Sequence, residues 1–132
     1  MQCALWLEEG IGLPHAEASP RRYQTGRHLA AFLLLLIAQR PDHGGSLIER
    51  LQSLQPPGWT VDSGRVYRLL RTMEEQGALR SNWEIVAAGP QVRVYRITES
   101  GQVWLRKEAE QIEARRDALS RFLRIWQTEA QT

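Results

Sequence analysis

Arg65, Arg68 and Arg71, spaced three residues apart, are the side chains of this sequence best suited to chemistry. Arginine carries a permanent charge and a planar fork of N–H donors, which fits phosphate oxygens and the acceptor edge of guanine. At 100° per residue on a helix, Gly64, Tyr67, Arg68 and Arg71 fall on or near one face, with Arg65 and Thr72 at its edges. Val66, Leu69, Leu70 and Met73 fall on the opposite face. A solvated face normally mixes signs, whereas this one gathers arginines and a phenol until Glu74 and Glu75. Duplex DNA is the partner this placement indicates, and Ser63, Gly64, Arg65, Tyr67, Arg68 and Arg71 are the candidate contacts.

The elements that position these residues follow from the flanking sequence. Asp62 or Ser63 caps the helix and Gly77 supplies its left-handed stop. Leu79 to Val86 and Val92 to Ile97 then alternate with period two, and the Ala87-Ala88-Gly89-Pro90-Gln91 link closes a hairpin. Tyr95 and Ile97 are expected to face the core, which leaves Arg93 near the hairpin tip as a further cation for DNA backbone. Upstream, Thr25 can cap a nearly all-apolar core helix running to about Gln39. Pro41-Asp42-His43-Gly44-Gly45 breaks that helix. Ser46 to Leu54 reads as a second, shorter helix with Leu47, Ile48, Leu51 and Leu54 inward. Residues 1–24 form an arm interrupted by Gly10, Gly12, Pro14 and Pro20, either mobile or docking Leu5 and Trp6 on the main body.

Thr98-Glu99 opens a last helix that continues to about Gln127 without proline. Leu105, Ala109, Ile112, Arg116, Leu119, Leu123 and Trp126 step alternately by four and three, a heptad seam with one polar interruption at Arg116. A helix of roughly 40 Å overhangs a domain of this size, so the seam is expected to close a homodimer. Trp104, Phe122 and Trp126, with Trp6 or Trp59, are candidates for an aromatic effector pocket at that interface; ordinary packing is the other reading of each tryptophan.

Composition bounds the function class. The 132 residues are 42% hydrophobic and 24% charged, as in ordinary globular chains. The formal charge is only +2, with a pI near 9.1, and Lys107 is the sole lysine among the cations. Cys3 is the only cysteine, which excludes an intramolecular disulfide or a cysteine-based zinc site. The longest apolar run, Leu29 to Ala38, is too short to span a bilayer, and the first residues lack the pattern of an export signal. A cytoplasmic location, with no membrane contact, is the expectation. His15, His28 and His43 have no metal-ligand spacing with each other or with Cys3, and no glycine-rich phosphate loop occurs. No catalytic residue, metal or cofactor is expected. Glu74, Glu75 and Glu84 read as solvated charges.

These elements form a mainly α chain with a small β-hairpin: a winged helix-turn-helix over 25–98 followed by a dimerisation helix and tail over 99–132. From Leu29 to Trp126 the sequence resembles the PadR family of transcriptional regulators. Leu33 to Arg50 is similar to that family's first two helices. Val66-Tyr67-Arg68-Leu69-Leu70 through Met73-Glu74-Glu75-Gln76-Gly77 matches its recognition-helix pattern. Gly89-Pro90, Arg93, Tyr95 to Glu99 and Gly101 resemble its wing and the following helix start, and Trp83 stands where many members carry tryptophan. Within the family the chain is most similar to short-helix, polyhydroxybutyrate-responsive repressors. The resemblance implies a homodimeric repressor without catalytic activity, with Tyr67 touching DNA backbone and Arg93 at a basic wing position. Gly45 departs from the family's usual aromatic, and Gln91 and Val92 stand where basic residues are common. The competing reading is a winged-helix adaptor that binds protein rather than specific DNA, which the modest net charge and the depleted wing favour.

Overall fold

The computed structural model describes residues 22–23 and 26–131; apart from the short strand at 22–23, the arm expected over residues 1–24 and the Thr25 cap lie outside the described residues. The elements run β1 (Arg22–Tyr23), α1 (Gly26–Gln39), β2 (Asp42–His43), α2 (Gly44–Gln52), β3 (Trp59–Thr60), α3 (Ser63–Glu75), β4 (Leu79–Ile85), β5 (Gln91–Ile97) and α4 (Glu99–Gln131). Two small sheets result: β1 beside β3 in parallel, and an antiparallel β2–β5–β4 sheet. The fold is α+β, a winged helix-turn-helix carrying a long C-terminal helix.

α1 is the central element. Leu29, Leu33, Leu34 and Ile37 are buried on it, with Leu47 and Leu51 of α2 and Val66, Leu70 and Met73 of α3 packed around them. α1 ends before Pro41, which cannot donate a helical N–H and restricts the residue ahead of it. The segment after α1 departs from the expectation in two ways. Asp42 and His43, expected to be a mere break, form a strand that pairs with Tyr95 and Val94 of β5. α2 therefore starts at Gly44 rather than Ser46 and stops at Gln52, and Leu54, expected inward, is half exposed. The added strand also buries Val94, which period-two alternation places on the opposite face from Tyr95.

The Gln52 side-chain amide ties down the next loop, donating to the Trp59 carbonyl at 2.6 Å and accepting from the Val61 N–H at 3.0 Å. α3 begins at an Asp62 cap whose carboxylate accepts from the Arg65 N–H, and ends before Gly77 at φ 85°. The hairpin register pairs Trp83 with Arg93 and Ser81 with Tyr95. Its turn puts Ala87 and Ala88, rather than Gly89, at φ near +60°, with Gly89 N–H donating to Val86 O. Alanine is costly there, because its Cβ crowds the left-handed region.

α4 is stitched to the end of α3. The Thr98 hydroxyl donates to Gly77 O at 2.6 Å and accepts from the Gly101 N–H at 3.0 Å, while Thr98 N–H donates to Ala78 O. The helix runs four residues beyond the expected Gln127, about 50 Å in all at 1.5 Å per residue.

Candidate nucleic-acid interface

One wall of α3 is wholly internal: Val66, Leu70 and Met73 have no exposed surface. The helix is thereby fixed in rotation, and Ser63, Gly64, Arg65, Tyr67, Arg68 and Arg71 all lie on its exposed side. The sequence reading and the structure agree on that face. Among the described residues, Arg65, Arg68 and Arg71 have no ion-pair partner, so their donors are available to an outside anion. Gly64 leaves room for one of them, since a Cβ there would meet the Arg68 guanidinium at 3.3 Å.

The exposed side divides into two stripes. Arg65 and Arg68 point outward, whereas Tyr67, Arg71 and Glu74 turn toward the hairpin and border a cleft of about 640 Å³. His43 and Gly44 close one end of it, and Trp83 and Arg93 close the hairpin side. The Tyr67 ring lies directly over Gly44, so close that a Cβ on Gly44 would overlap it. Gly44 is thus a seat for Tyr67, whereas a Cβ on Gly45 would meet the His43 ring at 3.4 Å.

Arg93 pairs with Trp83, the third register pair from the hairpin turn, with its guanidinium carbon 5.5 Å from the centre of the indole ring. Its Nε donates to Ser81 Oγ at 2.7 Å, and Ser81 in turn donates to the Glu74 carboxylate at 2.8 to 2.9 Å. Glu74 is accordingly half buried and bonded, not a solvated charge, and Glu84 pairs with Arg96 at 2.7 Å. Burial, above all, holds the phenol of Tyr95 above its ordinary pKa. The Glu74–Ser81–Arg93 chain escaped the sequence reading because it depends on strand register. Ser81 and Arg93 are diagonal neighbours across the hairpin, so fixing the register first is the signal that finds them.

The seam residues expected to close a dimer lie along α4 in two zones. Leu105 and Ile112 are partly covered, and with Ala109 and Arg116 they border an apolar groove of about 390 Å³ against Ala31, Phe32 and Leu35 of α1. Leu119, Leu123 and Trp126 are each more than half exposed. The effector trio does not assemble within one subunit. Trp104 packs on the core, while Phe122 is roughly 27 Å further along the helix at 1.5 Å per residue. Among the described residues no group of three or more metal-ligating side chains occurs, and no helix is long and apolar enough to cross a membrane.

A family model described as the transcriptional regulator PadR-like family matches residues 33–107, from α1 through the start of α4. The chain belongs to the PadR-like family of transcriptional regulators. It is a DNA-binding regulator in class, and members of this family are regulators rather than enzymes. Several solved structures resemble this PadR-like chain. A conserved protein of unknown function, described as a potential transcriptional factor, is 30% identical at TM-score 0.68, over 83% of this chain and 97% of that one. A transcriptional regulator candidate from Thermoplasma acidophilum is 27% identical at TM-score 0.62, over 72% and 89%. A PadR family regulator from Eggerthella lenta is 26% identical at TM-score 0.60, over 73% and 81%. Among curated proteins, none matches the sequence significantly. The family match stops at Lys107, so the exposed half of the PadR-like α4 lies beyond it.

Proposed function

We propose that this regulator is a homodimeric repressor that reads an inverted repeat with α3 of each subunit. The observation that carries the reading is the unpaired arginine face of α3, locked outward by the complete burial of Val66, Leu70 and Met73. A helix of this kind fits the major groove, where arginine donates to guanine O6 and N7. Phosphate contacts supply much of the affinity and make it fall with salt. Arg65, Arg68 and Arg71 divide between base and phosphate, Ser63 and Gly64 bring the helix start to the backbone, and Tyr67 and Arg93 hold the strand that passes the cleft.

The second subunit enters through α4. Leu119, Leu123 and Trp126 form an exposed apolar stripe continuous with the groove over α1, and a second copy covers both. Two recognition helices related by a twofold then sit about one DNA turn, or ~34 Å, apart. A ligand or protein that favours a dimer with another spacing lowers DNA affinity by the coupling between the two states.

Selection from random duplexes followed by footprinting tests this reading. The expected product is an inverted repeat whose protected half-sites are one turn apart. Enrichment of no sequence, with capture of a protein partner by the same dimer, would establish the adaptor reading instead.

A further inference from the structure

The cleft between α3 and the wing holds a feature that recognition-helix chemistry leaves unused. Arg93 lies near a carboxylate, yet the two do not close into an ion pair at hydrogen-bond distance: Arg93 Nη2 stops 3.8 Å from Glu74 Oε1. The Ser81 hydroxyl bridges the two side chains. It takes the Arg93 Nε–H at 2.7 Å and gives its single proton to Glu74. Glu74 is thereby satisfied through the hydroxyl, and Trp83 supports the guanidinium from one side at 5.5 Å.

An arginine has five N–H donors, of which Nε carries one. Among the described residues the Nη donors of Arg93 make no hydrogen bond, and they border the same cleft as Tyr67 and Arg71. Two parallel Nη donors match two oxygens of one phosphodiester.

We propose that Ser81 is a spacer that keeps Arg93 from collapsing onto Glu74 and so presents its Nη fork to a DNA phosphodiester seated between α3 and the wing. The proposal rests on the DNA-binding reading above and assigns a positioning role to Ser81, which does not itself touch the phosphate. Without the hydroxyl, nothing separates guanidinium from carboxylate. The pair closes and the fork is spent internally, as a charge-assisted bond of that kind is strong.

The test is operator titration by fluorescence anisotropy with the full chain. Ser81→Ala is expected to weaken binding about tenfold, as far as Arg93→Ala does, while Ser81→Thr, which keeps the hydroxyl, stays near wild type. Glu74→Gln added to Ser81→Ala removes the capturing charge and is expected to restore binding. That restoration must vanish when Arg93 is also alanine. Wild-type affinity for Ser81→Ala, or a restoration that persists without Arg93, overturns the proposal. Should the unaltered protein bind no duplex at all, the regulator reading itself fails. The spacer is then judged by the Arg93 Nη–H resonances in nitrogen-15 spectra. Their exchange should slow in Ser81→Ala, as they close onto Glu74, and stay as in the parent in Ser81→Thr; unchanged Nη exchange in Ser81→Ala counts against it.

Discussion

Asp42 has only 10% of its side chain exposed, beside Arg50 at 16%. Burial alone pushes the Asp42 carboxyl up, but hydrogen bonds from Ser46, the His43 N–H and Arg50, with the Arg50 charge, more than offset this and leave it below its ordinary value. Arg50 meanwhile donates to the Leu36 carbonyl at 2.9 Å, so the pair clips α2 to the end of α1. Removing the carboxylate strands a largely buried guanidinium, and Asp42→Ala is expected to destabilise the fold by about 3 kcal/mol in urea unfolding. The sign of the pH effect follows from the lowered pKa. The contribution of Asp42 is fully present above its unfolded pKa near 3.8 and disappears as pH falls through the lower folded value. An acid-unfolding curve should shift to higher pH in Asp42→Asn. None of this was legible in the sequence, where Pro41 to Gly45 shows only breakers. A partner eight residues away leaves no periodic trace. The arginine face was legible for the opposite reason, since it depends only on 100° per residue along one helix.

At the scale of elements, α1, α3, both wing strands and α4 were readable because each carries a long periodic pattern or a capping signal. The two-residue strands β1, β2 and β3 were not, since they are too short to hold a period and are made by pairing with distant chain. Pairing of β2 with β5 also explains the early start of α2 and the burial of Val94. The join between α3 and α4 depends on one atom-sized gap. A Cβ on Gly101 would overlap the Ala78 carbonyl and approach Ile97 Cγ1 at 2.7 Å, so the first turn of α4 can press against backbone only with glycine there. Backbone cannot yield as a side-chain tip can. Gly101→Ala, which raises intrinsic helix propensity, is nevertheless expected to lower stability by about 1–3 kcal/mol, measured by thermal unfolding. An unchanged or raised midpoint would show that α4 docks more loosely than this contact implies.

For the molecule as a whole, the exposed half of α4 is the feature that a single subunit leaves unexplained. Leu119, Phe122, Leu123, Ile125 and Trp126 present a run of large apolar side chains at the overhanging end. The proposed dimer covers the Leu119, Leu123 and Trp126 stripe, and Arg116, the one charge in the seam between Ile112 and Leu119, has its partners Glu113 and Asp117 on its own helix. Leu123→Asp is expected to raise the dimer dissociation constant roughly 100-fold, from lost apolar burial plus a charge in the seam. Sedimentation of variant and parent across a concentration series measures this, and superimposable profiles would remove the seam from any interface. Operator binding should weaken in the same variant, because one recognition helix holds half the contacts.

The central claim is that the α3 arginines make the DNA interface. It is tested most directly by titrating the selected operator at several salt concentrations with the parent and with Arg65→Ala, Arg68→Ala and Arg71→Ala combined. All three side chains lie outside the core, so fold and dimer should be retained. The account predicts a loss of at least about 100-fold in affinity and a shallower dependence on salt, by about one unit of slope for each arginine that had met a phosphate. Equal affinity and equal slope in the triple variant would contradict it.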